Sequence, residues 1–503
     1  MTMNHRPSHL FSLGDINAFF ALAIDNVVNL VMMAAILTAV FGFPADFVLT
    51  RMVPGTALGV LVGDLAYSWM ALRKGRNATA MPLGLDTPST IGIAIAVLGP
   101  AYLASGDPYT AWEVGMATLV LMGVAKLVLS FAGDAVLRWI PRAGLLGPLA
   151  GLGVALLGLF PMLKVFSVPV VGLTATGLVL FALVAKHALP GRFPGALAAV
   201  VCGLIMFWVT RALGLYAPSA GEAALTVGLN LPLPEFERVL RGLPGALDYL
   251  PIAIPFGLLT VVGGINVTES ARVAGDDYRT RDVLLVEAGA TLLAGLFGGV
   301  AQSTPYIGHP AYKAMGARSG YTLATGLVVG LGGMLGLLGA LVHLLPEVVV
   351  APILLFVGLE ITVQAFAATE RKHISALAFS MIPVLAYLVS IYTGQLMAAG
   401  AQPDPLLAAQ IATIGLLGKG FILTAMLWGA ALAFLVDRRA GALVVTFTVL
   451  ALFSLFGVVH SVDPSGALYL PGAWDARPWE LAGAYTLTGL LLAGLLFATR
   501  KTA

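Results

Sequence analysis

The sequence predicts an all-α polytopic membrane protein built from two inverted sets of seven spans, and three observations carry that prediction. Of 503 residues, 59% are hydrophobic and only 10% charged, with a mean hydropathy of +0.95, outside the usual composition of soluble domains. Apolar segments of roughly 20 residues, the length that crosses a bilayer, recur as seven, then seven, then two. The third segment of each seven is interrupted by Pro, Gly and polar residues at corresponding places, Met81-Pro-Leu-Gly-Leu-Asp-Thr-Pro88 and Gln302-Ser-Thr-Pro-Tyr-Ile-Gly-His-Pro310.

Taken in order, the first set covers about 15 to 40, 47 to 72, 79 to 104, 111 to 135, 143 to 165, 168 to 188 and 193 to 214. The second covers about 247 to 272, 281 to 301, 303 to 318, 320 to 345, 348 to 368, 373 to 397 and 405 to 436. Residues 1–214 are therefore read as a first repeat and 247–436 as a second, joined by an extracytoplasmic loop at 215–246. Residues 437–503 add two membrane helices, about 441 to 462 and 481 to 499. An odd number of spans per repeat forces the halves to be inverted. The first segment, Ile16 to Phe41, is too long for a signal h-region and reads as a span.

Charge tests the count, because cytoplasmic loops collect Lys and Arg. With the N-terminus inside, the inner loops hold Arg73, Lys74, Arg76, Arg138, Arg142, Lys186, Arg192, Arg272, Arg279, Arg281, Lys313, Arg318, Arg371, Lys372, Arg438 and Arg439. Arg6, Arg500 and Lys501 add to the same side. Both termini are expected in the cytoplasm and the protein in the cell membrane. A net charge of +2 offers no basis for nucleic-acid binding, and a single cysteine, Cys202, excludes an intramolecular disulfide.

Ionisable residues at membrane depth are expensive and point to function by default. Asp25 and Asn29 share a face of the first span, as a helix-contact cluster or a substrate or proton site. Asp64 and Lys126 are expected to neutralise each other, since a buried charge needs a partner. Glu269 and Arg272 read as a local ion pair. Glu360 sits alone in an apolar run, as a coupling group or a contact between helices. Thr260, Gly264 and Thr268 form one stripe of the eighth span.

The two broken stretches are the pointer to a secondary transporter's substrate site. Non-helical backbone survives in a bilayer only where protein buries it or where it lines a polar cavity. A helix starting at Pro88 or Pro310 leaves its first amides free for a carboxylate, an anion or a carbonyl oxygen, although Asp86 and Thr87 stand where simple N-capping would put them. His309, one residue before Pro310, suits a ligand or proton-handling role. No dense cluster of His, Asp and Glu stands at ligand spacing, so no metal site or cofactor is expected, and a membrane-embedded enzyme is a remote alternative.

These residues resemble the nucleobase/ascorbate transporter family, the xanthine/uracil permeases. The resemblance runs from about Asp15 to Leu435. It rests on Thr304-Pro-Tyr-Ile-Gly-His309 after Ala294-Gly-Leu-Phe-Gly298, on Val262-Gly-Gly-Ile-Asn-Val-Thr268 and on Gly84-Leu-Asp-Thr-Pro88. It implies a core domain, a gate domain and short paired strands in the third and tenth spans. It places Thr87, Thr260, Gly264, Gly308 and His309 at the substrate, with Thr260 and His309 where the family has carboxylates; Asp86, at the same break as Thr87, is read as a substrate contact with them. Coupling to a cation, H+ or Na+, would fall to Asp25, His309 or Glu360, with Asp25 or Asp86 as the acidic partner of His309. The resemblance implies a nucleobase-like solute. Loss of both carboxylates and gain of a histidine move the site toward anion tolerance, so an anion transporter or exchanger of the sulfate-permease type is the alternative. A homodimer is compatible with either reading.

Overall fold

The computed structural model describes residues 11–75, 77–131, 141–187, 189–190, 195–215, 228–306, 308–337, 346–463, 466–472 and 476–500. Arg6, Arg76, Arg138, Arg192, Lys501 and residues 216–227 of the long loop, all used above, lie outside them. The protein is an integral membrane protein. Among the described residues nine helices are long and apolar enough to cross a membrane, or ten if one bent pair counts as a single span, and four shorter apolar helices accompany them.

The chain separates into two compact units, each of which joins an early stretch of the sequence to a late one. The first, Met1–Asp134 with Pro218–Leu345, is the core. It contains α1 (Gly14–Ala35), α2 (Val53–Lys74), β1 (Leu83–Leu85), α3 (Thr87–Ile93), α4 (Pro108–Leu129), α5 (Phe236–Leu247), α6 (Leu250–Val273), α7 (Thr280–Leu296), β2 (Ser303–Pro305), α8 (His309–Ala314) and α9 (Gly320–Met334). Spans three and ten are therefore a strand followed by a helix rather than continuous helices. The second span of each repeat, α2 and α7, packs face to face at small residues, with a Cβ on Gly59 falling 2.8 Å from the Ala294 Cβ. Glycines in α9 do the same against α2, and Gly123 and Gly295 bring α4 onto α7. Small residues let helix backbones approach where lipid offers no hydrophobic drive between helices.

The helix starts follow their capping residues. Asp86 accepts from the Ser89 amide at 2.9 Å, and Asp107 from the Thr110 amide at 2.9 Å. Such caps satisfy donors that a helix end leaves without partners. Asp107 lies outside the span, and its hydrogen bonds, led by the one from the Thr110 hydroxyl, hold its carboxyl below the usual value.

The segment expected to be a plain loop contains α5. Its buried Val239, Gly242 and Ala246 share one face, while Phe236, Leu240 and Leu247 are exposed. Arg238 and Arg241 reach Glu113 of α4 at 3.2 and 3.0 Å.

The second unit, Ala135–Ala217 with Pro346–Ala503, is the gate and holds the remaining spans with both added helices. The stretch expected as one span at 405 to 436 is two helices, Pro405–Gly418 and Phe421–Val436, bent by 72°. Gly420 takes a positive φ of 67° at the corner, which costs glycine nothing. The turn after the helix Ala440–Leu455 repairs this corner: the His460 amide donates to Lys419 O at 3.1 Å and His460 Nδ1 donates to Leu416 O at 3.1 Å. Tyr485, on the last helix Arg477–Arg500, bonds His460 Nε2 at 2.6 Å and accepts from Trp428 Nε1 at 3.0 Å.

Candidate functional site

The site grows from the pairing of two three-residue strands. Pro82 and Pro88 fence one stretch, Pro305 and Pro310 the other, and proline disfavours helix both at its own position and before it. The strands run antiparallel with Leu83 opposite Pro305, Gly84 opposite Thr304 and Leu85 opposite Ser303. The ladder extends past both ends through Tyr306 N to Pro82 O at 2.8 Å and Asp86 N to Gln302 O at 3.1 Å. Pro305 stands opposite Leu83, whose amide points away from β2 to Asp64, so the missing Pro305 N–H costs the ladder nothing.

Side chains close the other edge of β1. Asn26 Oδ1 accepts the Leu85 amide at 2.9 Å, and Asp64 Oδ1 accepts the Leu83 amide at 3.3 Å. Asn26 Nδ2 and Asn29 Nδ2 approach the Leu83 and Leu85 carbonyls at 3.4 and 3.5 Å. The amides of α1 thus act as a third strand. Each interaction removes a buried backbone group from the set that would otherwise lack a partner.

The free edge of β2 is held by charge. Lys126 Nζ donates to Ser303 O at 2.9 Å and to Thr291 Oγ1 at 3.2 Å, and stands 2.7 Å from Glu287 Oε1. Both side chains of the ion pair are fully buried. The expectation that Lys126 would neutralise Asp64 is therefore corrected: α7 packs against α4 and brings Glu287 to it, while Asp64 faces β1 and α9. Sequence reading passed over Glu287, whose signal was a lone acid in the apolar run that follows Val283.

The other expected residues divide into two groups. Around the strands lie Asp25, Asp86, Thr87, Thr260 and Gly264. Asp25 Oδ1 accepts from the Tyr306 hydroxyl at 3.0 Å, and Asp25 and Tyr306 are half-buried. Asp86 caps α3, whose first residue, Thr87, is buried. The Thr260 hydroxyl turns back to Gly257 O at 3.0 Å and lies 3.4 Å from Gln302 Oε1. A Cβ on Gly264 would stand 2.7 Å from a Leu284 methyl and 2.9 Å from Glu287 Oε2. That glycine is the point at which α6 seats on the ion pair.

The second group faces the connections between spans. Gly308 is the cap position before α8, where a Cβ would stand 2.7 Å from the ring of Tyr312. His309 Nε2 lies 3.2 Å from Thr79 O and 3.3 Å from Asp276 Oδ2, and Lys313 Nζ lies 2.9 Å from the same oxygen. The acidic neighbour of His309 is Asp276, in the connection after α6, rather than Asp25 or Asp86. Burial pushes the Asp276 carboxyl up, but hydrogen bonds from His309, Lys313 and the Thr79 amide hold it below its ordinary value. Glu269 and Arg272 form the expected local pair at 2.5 Å. Glu360 is half-buried on Glu347–Ala367 of the second unit. Ile307, inside the tenth-span motif, lies outside the described residues.

No family model matches the chain, and no curated protein matches it. Solved structures do. The transmembrane domain of the cyanobacterial bicarbonate transporter BicA aligns over 75% of this chain and 96% of its own, with a TM-score of 0.52 and 16% identity. SLC26A9 aligns over 85% of this chain and 66% of its own, with a TM-score of 0.51 and 13% identity. The murine Slc26a9 anion transporter, in its inward-facing state, aligns over 77% and 69%, with a TM-score of 0.52 and 13% identity. The chain has their fold. It is the same seven-plus-seven inverted repeat that the nucleobase resemblance implied, reached here through anion transporters.

Proposed function

We propose that the chain is a secondary transporter that carries a small anion, with its solute held at the β1–β2 pair. The observation that supports this reading best is the double break itself. Two spans give up helical backbone at the same place, and side chains of the same unit satisfy the freed groups. Broken backbone at membrane depth is maintained where it serves a path for solute. The step from path to anion rests on analogy of fold with BicA and SLC26A9, and fold alone does not fix substrate. Thr260 and His309, where the resembled family has carboxylates, agree with an anion.

A nucleobase remains the second reading because Asp25 and Asp86, both half-buried, flank the strand pair, and a carboxylate accepts ring N–H groups well. The proposed substrate contacts are Asp86, Thr87, Thr260, Gly264, Gly308 and His309, and the coupling candidates are Asp25, His309 and Glu360. Both termini are proposed to be cytoplasmic.

The deciding experiment is flux into liposomes containing the purified protein. Bicarbonate, chloride, sulfate and small carboxylates are compared with xanthine and uracil. Uptake of an anion, unchanged chemically and competed by other anions, is the expected result. Uptake of nucleobases alone would replace the anion by the second reading, and conversion of the solute would replace both by an enzyme.

A further inference from the structure

We infer that Asp64 is a proton-carrying group, holding its proton while β1 is seated as observed. The inference deepens the transporter reading and rests on it. Asp64 stands at mid-length of α2 with a fully buried side chain. Its Oδ1 accepts the Leu83 amide at 3.3 Å, and its Oδ2 is buried with no hydrogen-bond partner among the described residues. Among the described residues no Lys, Arg or His forms an ion pair with it.

The inverted repeat supplies the contrast. In the corresponding span α7, Glu287 meets Lys126 on the helix that packs against it. Against α2 the matching helix, α9, presents Gly326, where a Cβ would fall 2.9 Å from the Asp64 Cβ. The preceding residue, Thr325, carries a buried hydroxyl that also has no hydrogen-bond partner among the described residues. The titratable groups close enough to feel the charge of Asp64 are phenols, Tyr67 on its own helix, Tyr312 on α8 and Tyr321 on α9. None supplies positive charge.

An ionised carboxylate buried without a counter-charge costs several kcal/mol, whereas the neutral acid is only a polar group. When α2 and β1 separate, water reaches the acid and accepts its proton, leaving the carboxylate; before β1 seats again the carboxylate takes one proton back from that water. Because that carboxyl also accepts the Leu83 amide, its protonation and the seating of β1 are linked.

The test is infrared spectroscopy on the full-length protein in liposomes, comparing wild type with Asp64→Asn, which keeps an acceptor for Leu83. A protonated-carboxyl band at neutral pH, absent from Asp64→Asn, is expected, together with solute flux whose dependence on pH flattens in the variant. An identical band in both proteins overturns the inference. So does a melting temperature that Na+ raises in wild type and not in Asp64→Asn, since that marks a metal cation in place of the proton. Should Asp64→Asn fail to fold, Asp64→Glu must shift the band, and an unshifted band is equally fatal. If neither protein moves any solute, the transporter reading fails while the spectrum still decides the state of Asp64.

Discussion

The outer edges of β1 and β2 are closed by different chemistry, although the strands are partners in one ladder and repeat counterparts. Asn26 and Asn29 close β1 with neutral amides, helped by one carboxyl at Asp64. At β2 the closing group is a cation, Lys126, whose charge is balanced by Glu287. A neutral edge loses one or two hydrogen bonds when a member is removed. A charged edge leaves the opposite charge stranded in low dielectric, which costs far more. The β2 seat is therefore the rigid one, and β1 is the strand whose position can respond to protonation.

That contrast predicts a ranking. Lys126→Met should destabilise most, by about 3–5 kcal/mol, because Glu287 is left buried and alone. Adding Glu287→Leu should recover most of the loss in the double variant. Unfolding of the purified protein in detergent measures both, and a double variant as unstable as the single one would mean that the pair is not what seats β2.

Gly264→Leu comes next. The side chain would meet Leu284 and Glu287 rather than open space, so it should cost about 1–3 kcal/mol by overpacking as well as abolish solute binding. Binding at wild-type affinity would move the site elsewhere.

At the other strand, Asn26→Leu leaves the Leu85 amide without its acceptor and should cost about 1–3 kcal/mol. Asp64→Asn, which keeps an acceptor, should cost less. The reverse order in melting temperature would show that β1 also depends on charge.

The smallest effect is outside the strands, at Asp276. Its carboxyl is held below the ordinary value of about 3.9, so the stability it contributes is complete above that value and is lost as pH falls through the lower folded value. The gap in melting temperature between wild type and Asp276→Asn should close in acid. A gap that widens on acidification would reverse the sign.

The span pattern was legible because a bilayer imposes a length on every apolar segment, and the breaks because Pro82, Pro88, Pro305 and Pro310 cannot continue a helix. Partnerships between helices were not. Whether Lys126 meets Asp64 or Glu287 is decided by which faces the glycines of α2, α4, α7 and α9 let approach, and sequence spacing carries no trace of that choice. His309 finds Asp276 across a loop, again beyond any local pattern. The bend at Gly420 was hidden because both of its flanks are apolar and together have the length of one long span. α5 was hidden by its mixed charges, which read as loop until Arg238 and Arg241 are seen on Glu113.

The ladder also sets an order of events during synthesis. Leu85 and Ser303 are about 220 residues apart, so at ~5–20 residues per second β1 enters the bilayer roughly 10–40 s before its partner exists. An unpaired strand edge in lipid would be an invitation to misassembly. Asn26, Asn29 and Asp64 all belong to the two spans made before β1. The nascent first repeat therefore carries its own provisional cover for one side of that strand, and only the side reserved for β2 has to wait.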